Sequence, residues 1–168
     1  LSAQGITADT LTAAAHRVVH GGTSLVQPCR ITDDVIAGIE AATPLAPLHN
    51  PNNLAGIRAL QKLAPDLPQY ASFGTAFHAT NPPVATAYAI PKKDRDMGIR
   101  RYGFHGLSYA WIVTQFEDRL PDRLLAFHLG SGASLCAIHK GKSVATSMGY
   151  SPLDGLTMGT RSGAIDGM

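Results

Sequence analysis

Two hydrophobic periods alternate along this chain. His16–His20 (HRVVH) is rich in β-branched residues and is stopped by Gly21-Gly22, which predicts a strand. Leu25–Ile31 predicts a second. The period then lengthens. Thr32 is placed to cap a helix, Asp33 and Asp34 fall in its first turn, Val35, Ile36 and Ile39 share one face, and Pro44 ends it. Asn50-Pro51 predicts another helix start, cap and then proline at the first helical position. Its core face carries Leu54, Ile57, Leu60 and Leu63. Gln69–Phe73 predicts a short strand that runs into Gly74. From His78 to about Gly98 the chain is proline-rich and irregular, with Asn81-Pro82-Pro83 and Ile90-Pro91. That stretch predicts a crossing between two domains, 1–78 and 79–168. Leu107–Leu120 predicts a helix bearing Tyr109, Trp111, Ile112 and Phe116. Strands are predicted at Leu124–Leu129, Ser134–His139 and Lys142–Ser147. Helix–strand alternation followed by a meander predicts an α/β fold with a mixed sheet.

Composition narrows the function classes. Of 168 residues 45% are hydrophobic, enough for a sizeable core. A net charge of +2 carries no polyanion signal, and the pairs Lys92-Lys93 and Arg100-Arg101 are too small to track a nucleic-acid backbone. The two cysteines, Cys29 and Cys136, sit in apolar or strand-like runs and are expected to be buried free thiols of a reducing, cytoplasmic compartment. No apolar run approaches membrane-spanning length, and the start lacks the basic-then-apolar pattern of a signal peptide. The start has no initiator Met and the end stops among glycines, so both are expected to be cut.

The chemistry is concentrated in glycine-rich stretches. His128–Ser143 reads HLGSGASLCAIHKGKS and contains two candidates for a phosphate loop. Its Gly-Lys-Ser lacks the glycine four residues upstream that a Walker A loop needs, since Cys136 stands there, and Val144-Ala145-Thr146 continue as a strand. His139–Lys142 therefore predicts a hairpin turn with Gly141 at positive φ. Gly130-Ser131-Gly132 fails as a dinucleotide fingerprint, because Leu135 occupies the third glycine position, and fails as a nucleophile elbow, because Leu129 and Ala133 flank Ser131. It is either an ordinary turn or one that offers backbone N–H groups to a ligand. Three further glycine-rich stretches carry Arg or His: His16–Gly22, Arg100–Gly106 and Gly155–Gly163. Arg17, Arg161, His105 and His128 together suit an anion, either a carboxylate or a transferring phosphoryl group. A metallohydrolase is disfavoured: there is no HExxH, no Cys pair, and His16 and His20 lie in a predicted strand.

In order, HRVVHGG, PLAPLHNPNNL, FGTAFH, YAIP, RRYGFHGLS, HLGSGAS and TSMGYSPLDGLTMGTRSG resemble the acetate/propionate kinase family over almost the whole chain. The resemblance implies a ribonuclease-H-like, mixed-sheet α/β fold of the actin and sugar kinase type. Parts of two domains are expected: an acceptor-binding one and the start of a nucleotide-binding one. It implies transfer of a phosphoryl group from ATP to the carboxylate of acetate, with Mg²⁺, giving acetyl phosphate and ADP. It also implies acetate or propionate and ATP/ADP as ligands, a homodimer, and neither nucleic acid nor membrane as partner. On the residues, it implies that Arg17 and Arg161 clamp acetate and the transferring phosphoryl and that His105 stabilises the transition state. His49 lies near the site. The resemblance also implies that Val18 and Leu48 line a pocket for the methyl group. His128, Leu129, Gly130, Ser131 and Gly132 form a phosphate-facing loop.

The largest departure is Gly74, where the family pattern FDTAFH has an aspartate assigned to the catalytic centre. Tyr109 stands where His is usual, Ser131 where Asn is usual, and Ala164 where Asp is common. Gly74 can neither take a proton nor hold a hydrated metal ion, which keeps open an inactive relative that only binds carboxylate or phosphate. No metal ligand set is identifiable from the sequence.

Overall fold

The structure, a computed structural model, describes residues 4, 5, 7 and 10–165. It divides into two compact units, Leu1–Phe73 and Gly74–Met168. The division precedes the proline-rich stretch expected to carry it. The cause is side-chain anchoring. In the 3₁₀ helix Ala76–Thr80, His78 Nδ1 lies 2.8 Å from Ser143 Oγ, and Thr80 Oγ1 donates to the Ser143 carbonyl at 2.8 Å. This segment therefore belongs with the later strands.

The first unit is a three-stranded mixed sheet with two helices. Strand β1 (Ala14–Val18) runs parallel to β3 (Gln69–Phe73), and the two-residue β2 (Cys29–Arg30) pairs antiparallel with β3's other edge. The expected Leu25–Ile31 strand is reduced to β2. The Leu25 N–H bonds back to the Gly21 carbonyl at 3.0 Å, so the chain is still turning there. Helix α1 (Asp33–Ala41) begins as expected, with Thr32 Oγ1 accepting the Val35 N–H and Asp33 and Asp34 in its first turn. Helix α2 (Asn50–Leu63) differs at its start. His49 occupies the cap position without a capping bond, while Asn50 is fully buried inside the helix. Asn50 turns its amide inward, donating to the His20 and Ile39 carbonyls and accepting the His20 N–H. Of the expected core face, Leu54 and Ile57 are buried and Leu63 is exposed. Val18, Ile39, Ala71 and Phe73 complete this core.

The second unit opens with the 3₁₀ turn and two short helices, α3 (Pro83–Thr86) and α4 (Lys92–Asp96). The longer α5 (Gly106–Phe116) follows, then a 3₁₀ turn at Glu117–Arg119 where the sequence predicted helix. Strands β4 (Arg123–Leu129), β5 (Ala133–His139) and β6 (Lys142–Thr146) form an antiparallel meander. Lys140 and Gly141 both have positive φ, 49° and 78°, the geometry of a two-residue turn whose twist matches the strands. Of the Gly-Lys-Ser, Gly141 is thus in the hairpin tip, and Lys142 and Ser143 begin β6. Tyr109 on α5 packs with Ala126, Cys136 and Ile138 on the sheet, and Phe77, Ile112 and Val113 close over them. Both cysteines are free; Cys136 is buried and Cys29 half-buried.

Candidate functional site

The β4–β5 turn gathers the second unit's candidate residues. Leu129 and Ala133 are the last paired residues, and Gly130–Gly132 cross between them, with the Gly130 N–H on the Gly132 carbonyl at 3.1 Å. A Cβ on Gly132 would lie 3.1 Å from His105 Nε2 and 3.4 Å from an Arg161 guanidinium nitrogen. His105, Arg161 and the turn therefore converge, and the missing side chain leaves the approach open. One on Gly130 would lie 4.0 Å from His128 Nε2. The His105 and His128 rings stack with centroids 3.9 Å apart and 17° between planes. Both Nε2 atoms thus face the turn. Ser131 and Leu129 are exposed beside it.

Each side chain is fixed from behind. His105 Nδ1 lies 2.8 Å from Ser134 Oγ, and that oxygen also bonds the Tyr109 hydroxyl. His128 Nδ1 lies 3.0 Å from Ser108 Oγ. Arg161 donates one guanidinium N–H to the Pro152 carbonyl at 3.0 Å. His105 stands just before α5 in the left-handed region, φ 59° and ψ 17°. That conformation costs a non-glycine residue about 1–2 kcal/mol, so the surroundings hold it there. Gly74 follows β3; it is buried, and its carbonyl accepts the Gly106 N–H at 2.8 Å. It thereby helps to set the start of α5.

The first unit holds the other candidates. Arg17 is exposed on β1, Val18 beside it is fully buried, and Leu48 and His49 are exposed just before α2. Two asparagines join these stretches: Asn53 Oδ1 accepts the Val19 N–H at 3.1 Å and Asn50 Oδ1 the His20 N–H at 3.2 Å. The end of β1 and the start of α2 are therefore one assembly.

Sequence reasoning did not single out Ser108 or Ser134, nor Asn50 and Asn53 as ties. Ser134 had a faint signal: it shares the inward period of β5 with Cys136 and Ile138, a hydroxyl at a core position. Among the described residues no group of three or more His, Cys, Asp or Glu could hold a metal ion. No helix of the described residues is long and apolar enough to cross a membrane.

Comparison with known proteins gives the family and the fold. Residues 3–168 match the acetokinase family. The chain is 50% identical over 165 residues to an acetate kinase of Rhodopseudomonas palustris and 52% identical over 168 residues to one of Streptomyces avermitilis, covering 93% and 96% of this chain. It covers 40% and 42% of those relatives, so it spans about two fifths of their length. A propionate kinase structure from Francisella tularensis superposes with a TM-score of 0.89 at 45% identity, covering 94% of this chain and 42% of that one. An acetate kinase structure from Entamoeba histolytica gives 0.86 at 39% identity, covering 91% and 41%. The turn flanked by His105, His128 and Arg161 sits in a fold shared with these kinases, and the chain belongs to the acetokinase family.

Proposed function

We propose that the protein carrying this chain transfers a phosphoryl group between ATP and the carboxylate of acetate or propionate, forming the acyl phosphate and ADP. The observation that carries this reading is the convergence of His105 Nε2 and the Arg161 guanidinium on the Gly130–Gly132 turn. A loose phosphoryl-transfer transition state spreads charge over three equatorial oxygens, and catalysis consists mainly of fixed donors at those positions. His105 and Arg161 are such donors, each tied back by a second hydrogen bond. The loop His128, Leu129, Gly130, Ser131 and Gly132 is the phosphate-facing one, with the Gly130 N–H spent on the Gly132 carbonyl and the donation left to its other N–H groups. In the first unit, Arg17 is the partner of the acceptor carboxylate and His49 contributes beside it. Leu48, exposed before α2, is left for the methyl side, because Val18 is fully buried and packs in the core of the first unit.

Mg²⁺ enters this reading with the nucleotide. Its preferred ligands are oxygens in an octahedral set, and the described residues contain no such cluster of carboxylates. A homodimer in the cytoplasm completes the proposal on the strength of the family.

Gly74 favours a second reading, a relative that binds carboxylate or phosphate without turnover. That position offers a backbone carbonyl, already bonded to Gly106, and no side chain. The reverse reaction separates the two sensitively. The complete polypeptide is supplied with acetyl phosphate and ADP, and ATP is detected by luminescence. ATP that depends on acetyl phosphate is the expected result. Binding of acetyl phosphate with no ATP formed would leave the second reading in place of the first.

A further inference from the structure

Tyr109 is wholly buried, and its hydroxyl sits against Ser134 Oγ, which sits in turn against His105 Nδ1. The direction of the protons along this row follows from donor and acceptor counting. The buried Tyr109 hydroxyl has one hydrogen-bond partner able to accept, Ser134 Oγ, and a buried hydroxyl proton needs an acceptor. Among the described residues, Ser134 Oγ is then the acceptor for the phenolic proton. A hydroxyl carries one proton. Ser134 accepts from Tyr109 and so directs its own proton to His105 Nδ1. An imidazole that accepts at Nδ1 carries its proton at Nε2 when neutral. Nε2 is the atom that faces the glycine turn and Arg161.

We infer that Tyr109 and Ser134 are positioning residues, a hydroxyl relay that holds His105 in the Nε2–H tautomer so that it donates toward the turn. The inference rests on the proposed phosphoryl transfer for its purpose but on the hydrogen-bond row for its existence. The ring stack with His128, itself anchored through Ser108, fixes the plane of His105, while the relay fixes which nitrogen holds the proton. At Tyr109, where the resembling pattern usually has His, this chain has a phenol that supplies the first proton of the row.

The test uses the complete polypeptide with ¹⁵N-labelled histidine, observed by NMR at a pH well above the ordinary imidazole range. His105 is expected as one neutral tautomer, protonated at Nε2. Ser134→Ala and Tyr109→Phe are expected to show both tautomers. In the acetyl phosphate and ADP assay, kcat should fall about two- to tenfold in each variant, the loss set by the fraction of His105 left in the donating tautomer. KM should stay unchanged, because a tautomer shift weakens donation rather than binding. A proton on Nδ1 in the unaltered protein, or an unshifted tautomer in Ser134→Ala, overturns the relay. If Ser134→Ala does not fold, Ser134→Cys keeps a similar volume with a weaker donor and should show the same mixture. The spectrum is read without turnover. A protein with the relay but no phosphoryl transfer therefore sinks the proposed reaction alone.

Discussion

Arg161 shows what a single residue contributes. One guanidinium nitrogen is committed to the Pro152 carbonyl, and the same nitrogen would meet a side chain placed on Gly132. The group is planar and keeps further N–H donors for a ligand. Lysine carries the charge on a compact, rotatable head and cannot bond the carbonyl and a phosphoryl oxygen in the same plane. Arg161→Lys in the complete polypeptide is therefore expected to lower turnover about 10³-fold, on the scale of arginine-dependent phosphoryl transfer. Steady-state kinetics check this; a change smaller than tenfold would assign Arg161 to structure. Arg161 and His105 were legible in the sequence because they stand in long motifs rich in glycine. Their supports were not: Ser134 and Tyr109 are 25 residues apart and meet only when α5 packs on β5.

At the scale of elements, a histidine clips the 3₁₀ helix Ala76–Thr80 to the sheet. His78 is buried, with Nδ1 at Ser143 and Nε2 at the Phe104 carbonyl, 2.9 Å away. Burial pulls its pKa from 6.5 down to about 4, and the Phe104 bond opposes only part of this. Burial does the same to His20 in the first unit, also to about 4. The sign follows directly. Below pH 6.5 the unfolded chain takes up protons that the folded chain refuses, so the stability present above that pH is lost as pH falls toward 4. Each group can remove at most about 3 kcal/mol. Calorimetry from about pH 7 to about pH 4.5 should show a falling melting temperature, with a shallower fall in His78→Asn. A flat profile would contradict the buried, neutral histidines.

The same scale explains which elements were readable. Strand β3 and the β5–β6 hairpin follow from local patterns, a bounded β-branched or aromatic run and a Lys-Gly turn at positive φ. The strand expected at Leu25–Ile31 has the right composition, yet Leu25 bonds back to Gly21 and only Cys29 and Arg30 reach β3. The α2 start was misread by one residue because Asn50 spends its amide on His20 and Ile39, partners far away in the sequence.

Across the whole molecule, the chain forms two units and spans about two fifths of its curated relatives' length. The proline-rich stretch was a natural place to expect the division. The division falls earlier because His78 and Thr80 bind Ser143. Strand β4 lies at a sheet edge and exposes Leu125, Phe127 and Leu129 in one row, a kind of surface that other structure commonly covers. The fold class was legible because motif order spans nearly the whole chain, and the relatives with TM-scores of 0.86–0.89 agree with it. The chemical departure sits at Gly74. The measurement that tests the account most directly is acetate-dependent formation of acetyl phosphate from ATP, trapped with hydroxylamine, by the complete polypeptide and by its Gly74→Asp variant. Product is expected from both, with turnover raised about a hundredfold by the carboxylate, within the range for one positioned catalytic group. Folded proteins that form no acyl phosphate in either case would contradict it.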